Sequence, residues 1–137
     1  DTEMLKQLSI YAENKKGALQ TMTNALYEAG INIWGSVTND GAEYGINRMV
    51  VSDPDKAKEV LTEKGYLCRF VDVLAVEIED KPGALNTLLT ALLDSNVNVD
   101  YTYLSFNRDS STPVMILHTA DPEEVEICLR AKGFKMV

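Results

Sequence analysis

Asn14-Lys15-Lys16-Gly17-Ala18-Leu19-Gln20 and Asp80-Lys81-Pro82-Gly83-Ala84-Leu85-Asn86 are one pattern met twice, 66 positions apart. Working outward, the offset persists: Ala25-Leu26 returns as Ala91-Leu92, and Ile31-Asn32-Ile33 as Val97-Asn98-Val99. Beyond that the offset becomes 68, with Asp53-Pro54 returning as Asp121-Pro122 and Gly65-Tyr66 as Gly133-Phe134. Two extra residues therefore fall between the middle strands of the second copy, where a surface loop tolerates them. A fixed period with matched residue types marks an internal repeat, and the fold has to be read one copy at a time.

Leu8, Ile10 and Ala12 alternate with polar residues, as do Leu74, Val76 and Ile78, and predict a first strand with one buried face. Ala18, Leu19, Met22, Ala25, Leu26 and Ala29 then fall on one helical face, matched by Ala84, Leu85, Leu88, Ala91 and Leu92. Gly30 ends the first helix and Asn96 the second, since a left-handed residue commonly closes a helix and Asn is the next most tolerant after Gly. Strand two is expected over 31–38 and 97–106, with a turn at Asn39-Asp40-Gly41 or near Arg108 to Thr112. Strand three follows over 44–51 and 114–119. Asp53-Pro54 and Asp121-Pro122 announce a second helix, with Asp as N-cap and Pro in the first turn. Lys64-Gly65 and Lys132-Gly133 stop it, and last strands are expected over 66–71 and 134–137.

The order is βαββαβ, twice. The fold class is α+β: two tandem ferredoxin-like units, 1–72 and 73–137, with two helices on one face of each four-stranded antiparallel sheet. Units this small bury limited cores, so they are expected to pack side by side, edge to edge.

The chain has 137 residues, 45% of them hydrophobic, and a formal net charge of −8. Such a surface repels phosphate backbones and anionic lipid, which argues against nucleic acid and membrane as partners. No apolar run reaches the roughly 20 residues of a membrane span, and the first residues lack a signal-peptide pattern, so a cytoplasmic location is expected. Cys68 and Cys128 stand alone in apolar stretches and are expected to be small buried hydrophobes. The turns at 14–17 and 80–83 carry no paired cysteines for metal and no arginine for an anion cradle. The one histidine, His118, reads as a buried structural residue of strand three. No catalytic triad, metal-ligand cluster or phosphate loop accompanies it, so neither an enzyme nor a cofactor is expected.

The Asp80-Lys81-Pro82-Gly83-Ala84-Leu85 turn, followed after its helix by Val97-Asn98-Val99, resembles the ACT domain. That family is marked by an Asp/Asn-x-Pro-Gly-x-Leu turn and a Gly-x-Asn-Ile strand start. The first copy has Lys16 in place of the proline but keeps Gly30-Ile31-Asn32-Ile33; the second has Pro82 but Asn96 in the glycine position. The turn glycine allows close approach of a ligand, and the first helical N–H groups lack internal partners. Gly17, Ala18 and Leu19, or Gly83, Ala84 and Leu85, are therefore candidate donors to a carboxylate. Asn14 or Asp80 could accept from an ammonium group, or could serve only as a helix N-cap. The resemblance implies that the ligand, a free amino acid, lies between neighbouring units, held by the turn of one and strand two of the other. It thus pairs the turn from Asp80 through Pro82 to Leu85 with Asn32, Ile33 and Trp34, and the turn from Asn14 to Leu19 with Asn98, Val99 and Asp100. Trp34 has a packing role as its alternative, and Trp34 against Asp100 makes the two sites unequal. The expected function is a regulatory amino-acid sensor, with a homodimer or a metabolic enzyme as partner. The alternative is a ligand-free interaction module acting on an enzyme of amino-acid metabolism.

Overall fold

A computed structural model describes residues 4–13, 15–39 and 44–137. It divides into two compact units, one of residues 6–71 and one of residues 72–137 with Met4 and Leu5.

In the first unit β1 (Leu5–Glu13) leads to α1 (Ala18–Glu28), β2 (Ile33–Asn39), β3 (Tyr44–Val51), α2 (Pro54–Glu63) and the start of β4 (Leu67–Glu77). The strand order is β2-β3-β1-β4. β1 and β3 are antiparallel, with Leu8 opposite Met49 and Ile10 opposite Asn47. Leu8 and Ile10 meet Met22, Ala25 and Leu26 of α1 and Ala57 and Leu61 of α2 in one core. Each fully buried Leu, Ile or Met there contributes about 1.5–3 kcal/mol.

The second unit repeats the plan with the rest of β4, α3 (Ala84–Asp94), β5 (Tyr101–Phe106), β6 (Pro113–His118), α4 (Pro122–Ala131) and β7 (Lys135–Met136). Its strand order is β5-β6-β4-β7. Leu74, Val76, Leu88, Leu92, Leu117, Val125 and Leu129 form its core, against which Met4 also packs. Both units are therefore α+β and ferredoxin-like.

Several local expectations change. The strands expected at the end of the first copy and the start of the second are one strand, β4, of 11 residues. β7 has only two residues, and β5 begins at Tyr101, so Val97 to Asp100 precede the strand. Leu19 and Leu85 sit at the rim of the helical face and stay 48% and 37% exposed. Gln7 and Ser9, expected to point to water, are buried along with Val50, Val73, Ala75 and Ile116, so the central strands are buried on both faces.

The stop signals hold. Gly30 and Asn96 both adopt positive φ, 74° and 59°, and Gly65 and Gly133 do the same after the second helices. Both second helices start as expected, at Pro54 after Asp53 and at Pro122 after Asp121, but the Asp side chain caps in one copy only. Asp53 caps α2 by accepting from the Lys56 amide at 3.2 Å. Asp121 occupies the same place before α4 but is left-handed, at φ 52°, and its side chain makes no cap bond. In that conformation its carboxylate does not serve the first-turn amides that an extended Asp serves.

Candidate functional site

Both motif turns close in the same way. Gly17 (φ 85°, ψ −2°) and Gly83 (φ 87°, ψ −7°) are the N-cap residues of α1 and α3, in a left-handed conformation costly for any residue with a Cβ. The amide of Ala18 donates to the Lys15 carbonyl and that of Ala84 to the Lys81 carbonyl, each at 3.2 Å. The hydroxyls of Thr21 and Thr87 donate to the Gly17 and Gly83 carbonyls at 3.0 Å. The expected donor set is thus narrowed: Ala18 and Ala84 are engaged in the turn. Leu19 and Leu85 remain first-turn amides with no carbonyl behind them inside the helix.

Asp80 lies three residues before Gly83, which holds the N-cap place of α3, so Asp80 is not that helix's N-cap residue. Asn14 lies outside the described residues. Exposed ion pairs flank both positions, Glu13 with Lys15 at 3.4 Å and Glu79 with Lys81 at 3.1 Å.

Each turn opens into a cleft within its own unit. The first, of about 300 Å³, is lined by Ala12, Gly17, Ala18, Met22, Thr38 and Asn47 among others. The second, of about 360 Å³, includes Ile78, Lys81, Ala84, Thr112, Phe134 and Lys135. Gly83, Pro82 and Asp80 are exposed beside it. Thr38, Asn47 and Lys135 on strands, and Thr112 in the turn before β6, were not legible as cleft-lining residues, because polar residues in such places read as solvent-facing.

The strand-two residues lie in two different settings. The Asn32 amide donates to the Ser52 hydroxyl at 2.9 Å, and the Ser52 amide returns a bond to the Asn32 carbonyl. Ile33 pairs with Val51 and Gly35 with Val50, which leaves half-buried Trp34 as the extra residue of a β-bulge. In the other copy the Asn98 side-chain Nδ2 donates to the Asp100 carboxylate at 3.1 Å, and Asp100 bonds His118 Nδ1 at 2.8 Å. His118 also stacks on Tyr101, with ring centroids 4.9 Å apart. His118 is therefore a half-exposed member of a polar chain rather than a buried core residue. Asn98 and Asp100, with Asn96, Asp121, Glu124 and Cys128, line a separate cleft of about 650 Å³ that the Asp80 turn does not enter.

Cys68 is buried, and that burial pushes its thiol above the ordinary range, against smaller lowering effects of Lys58 and Thr62. Cys128 is half-buried and bonds the Ser95 hydroxyl at 3.2 Å; both cysteines are free. Among the described residues no group of three His, Cys, Asp or Glu side chains could hold a metal, and no helix is long and apolar enough to cross a membrane.

A repeated Gly-closed turn opening a helix over a sheet is also the geometry of known proteins. A family model described as an ACT domain pair matches residues 3–136. This chain belongs to the ACT domain pair family. Protein BT0572 from Bacteroides thetaiotaomicron has a similar solved structure at TM-score 0.89 and 30% identity, over 98% of this ACT pair and 92% of that chain. The regulatory subunit of aspartate kinase from Thermus thermophilus, in ligand-free form, is similar at TM-score 0.65 and 16% identity, over 92% and 89% of the two chains. The regulatory subunit from Thermus flavus gives 0.61 and 20%, over 93% and 90%. These last two share the fold of the ACT pair. A search of curated protein sequences gives no match to it.

Proposed function

We propose that this ACT pair is a non-catalytic regulatory protein that binds a free amino acid at its motif turns. The observation that carries the reading is the repeated arrangement: a left-handed glycine, first-turn amides and a cleft, in both units. A carboxylate is served by the helix start and an ammonium group by Asp80, the two ends of any free amino acid. Asn32, Ile33, Trp34, Asn98, Val99 and Asp100 belong to the proposal as the residues a neighbouring ACT unit would contribute. A ligand of about nine heavy atoms at roughly 0.5–1 kcal/mol each binds in the millimolar to micromolar range, suited to metabolite sensing.

A second reading, an interaction module docking on a metabolic enzyme, is favoured by Leu85, Leu89 and Leu93, which lie exposed along α3 at helical spacing. Melting the protein with each of the twenty amino acids at about 5 mM separates the two. A ligand present at about 100 Kd adds roughly 2.7 kcal/mol, a rise of several degrees. A flat panel sinks the sensor and leaves the module.

A further inference from the structure

The first motif cleft is lined by a pair of facing polar strand residues, Thr38 and Asn47, that the second unit lacks at the same register. Asn47 on β3 lies opposite Ile10 of β1 and Thr38 of β2, on the side of the sheet that faces the helices. It is 4% exposed, an amide inside a layer otherwise filled by Leu8, Ile10, Met22 and Met49. Such a group is unfavourable in an apolar layer unless its hydrogen bonds are met. Its Nδ2 donates to Thr38 Oγ1 at 2.8 Å and to Ser36 Oγ at 3.1 Å, and Ser36 Oγ approaches its Oδ1 at 3.4 Å. At the same register the second unit pairs Leu104 with Met115. The fold therefore does not require the amide. One copy carries a polar pair where the other completes the same sheet with apolar side chains.

The bonding leaves two groups to spare. Thr38 Oγ1 accepts from Asn47, so its own proton points elsewhere, and among the described residues nothing accepts it. Asn47 Oδ1 keeps a second lone pair. Both residues line the cleft that Gly17 and Ala18 open, beside Ala12 and Met22. A ligand anchored at the turn thus meets one donor and one acceptor on the strand side of the cleft.

We infer that Thr38 and Asn47 make the first cleft selective for a free amino acid whose uncharged side chain both donates and accepts, a hydroxyl or a primary carboxamide. This rests on the proposed amino-acid binding. A side-chain carboxylate would satisfy Thr38 but face Asn47 Oδ1 and Glu13, and a purely apolar one would strand both groups.

The test uses matched pairs of nearly equal shape, threonine against valine and glutamine against methionine, titrated calorimetrically into the full chain. The side-chain amide resonance of Asn47 reports binding in the first cleft. The polar member of at least one pair should bind roughly 3- to 10-fold tighter, the range of one net neutral hydrogen bond, and should move the Asn47 resonance. In Thr38→Val and Asn47→Met that ratio should fall toward one, each variant being checked for an unchanged fold by its denaturation midpoint. A merely structural role would weaken both members equally and leave the ratio unchanged. An unchanged ratio in both variants, or tighter binding of the apolar members, overturns the selectivity while amino-acid binding stands. No binding of any amino acid removes both.

Discussion

Asp80 and Asp53 each stand just before a helix, and replacing each by Ala should give opposite patterns. Asp53 accepts the Lys56 amide at 3.2 Å, so Asp53→Ala removes a working cap and should cost about 1 kcal/mol. For a chain of this size that is about 3–5 °C in melting temperature. Asp80 is exposed and is not the N-cap residue of α3, where left-handed Gly83 holds that place. Asp80→Ala should therefore change unliganded stability by less than about 0.5 kcal/mol, as ordinary surface substitutions do. Its effect should appear on binding. A carboxylate–ammonium hydrogen bond contributes about 1.5–3 kcal/mol, reduced here to about 1 by exposure to water, or roughly 5-fold in Kd. The assay is a melt of wild type and both variants without ligand, followed by titration of the amino acid found in the panel. If Asp80→Ala destabilises the unliganded protein as much as Asp53→Ala, Asp80 is structural and the argument is wrong. An unchanged Kd would refute its role as ammonium acceptor just as directly.

Leu26→Ala and Leu92→Ala, at buried equivalent positions in the two cores, should each cost about 2–5 kcal/mol by urea titration. A loss below 1 kcal/mol would mean that the site collapses without a cavity. Gly30, at φ 74°, should accept Asn, the residue its counterpart Asn96 already is, better than Ala, which should cost about 1 kcal/mol; equal midpoints for the two variants would contradict this. Because burial raises the Cys68 thiol, the folded state holds its proton more tightly than the unfolded chain. The stability from that site is whole below the ordinary thiol range of about 8.5 and lost as pH rises through the raised value. Cys68→Ala should flatten the alkaline limb of the stability profile, and a thiol reagent should label Cys128 before Cys68.

The repeat made the topology legible, because each element is announced by a pattern that only one local geometry satisfies. Gly30 and Asn96 mark left-handed stops, and the alternation at Leu8, Ile10 and Leu74, Val76 fixes the core side of the first strands. Legibility ends where two physical outcomes share one sequence. Asp53-Pro54 and Asp121-Pro122 look alike, yet only Asp53 caps. Val97 and Val99 look like strand but precede the first ladder pair at Tyr101. Gln7 and Asn47 look solvent-facing, but whether a strand's polar side chain is buried depends on what packs over it, and for Asn47 on Ser36 and Thr38 of the neighbouring strand. Of the site, the glycine turns were legible, while the polar wall opposite them was hidden for that same reason.

The two-residue β7 has a kinetic meaning. Val76 with Met136 and Glu77 with Lys135 pair it to β4, and the Val137 amide adds one bond to the Ala75 carbonyl at 2.9 Å. A ladder so short opens by local fraying rather than by global unfolding. In deuterated buffer the amides around Lys135 and Met136 should exchange long before those of the doubly buried centre of β4, giving the second unit a fast-breathing margin beside a slow interior.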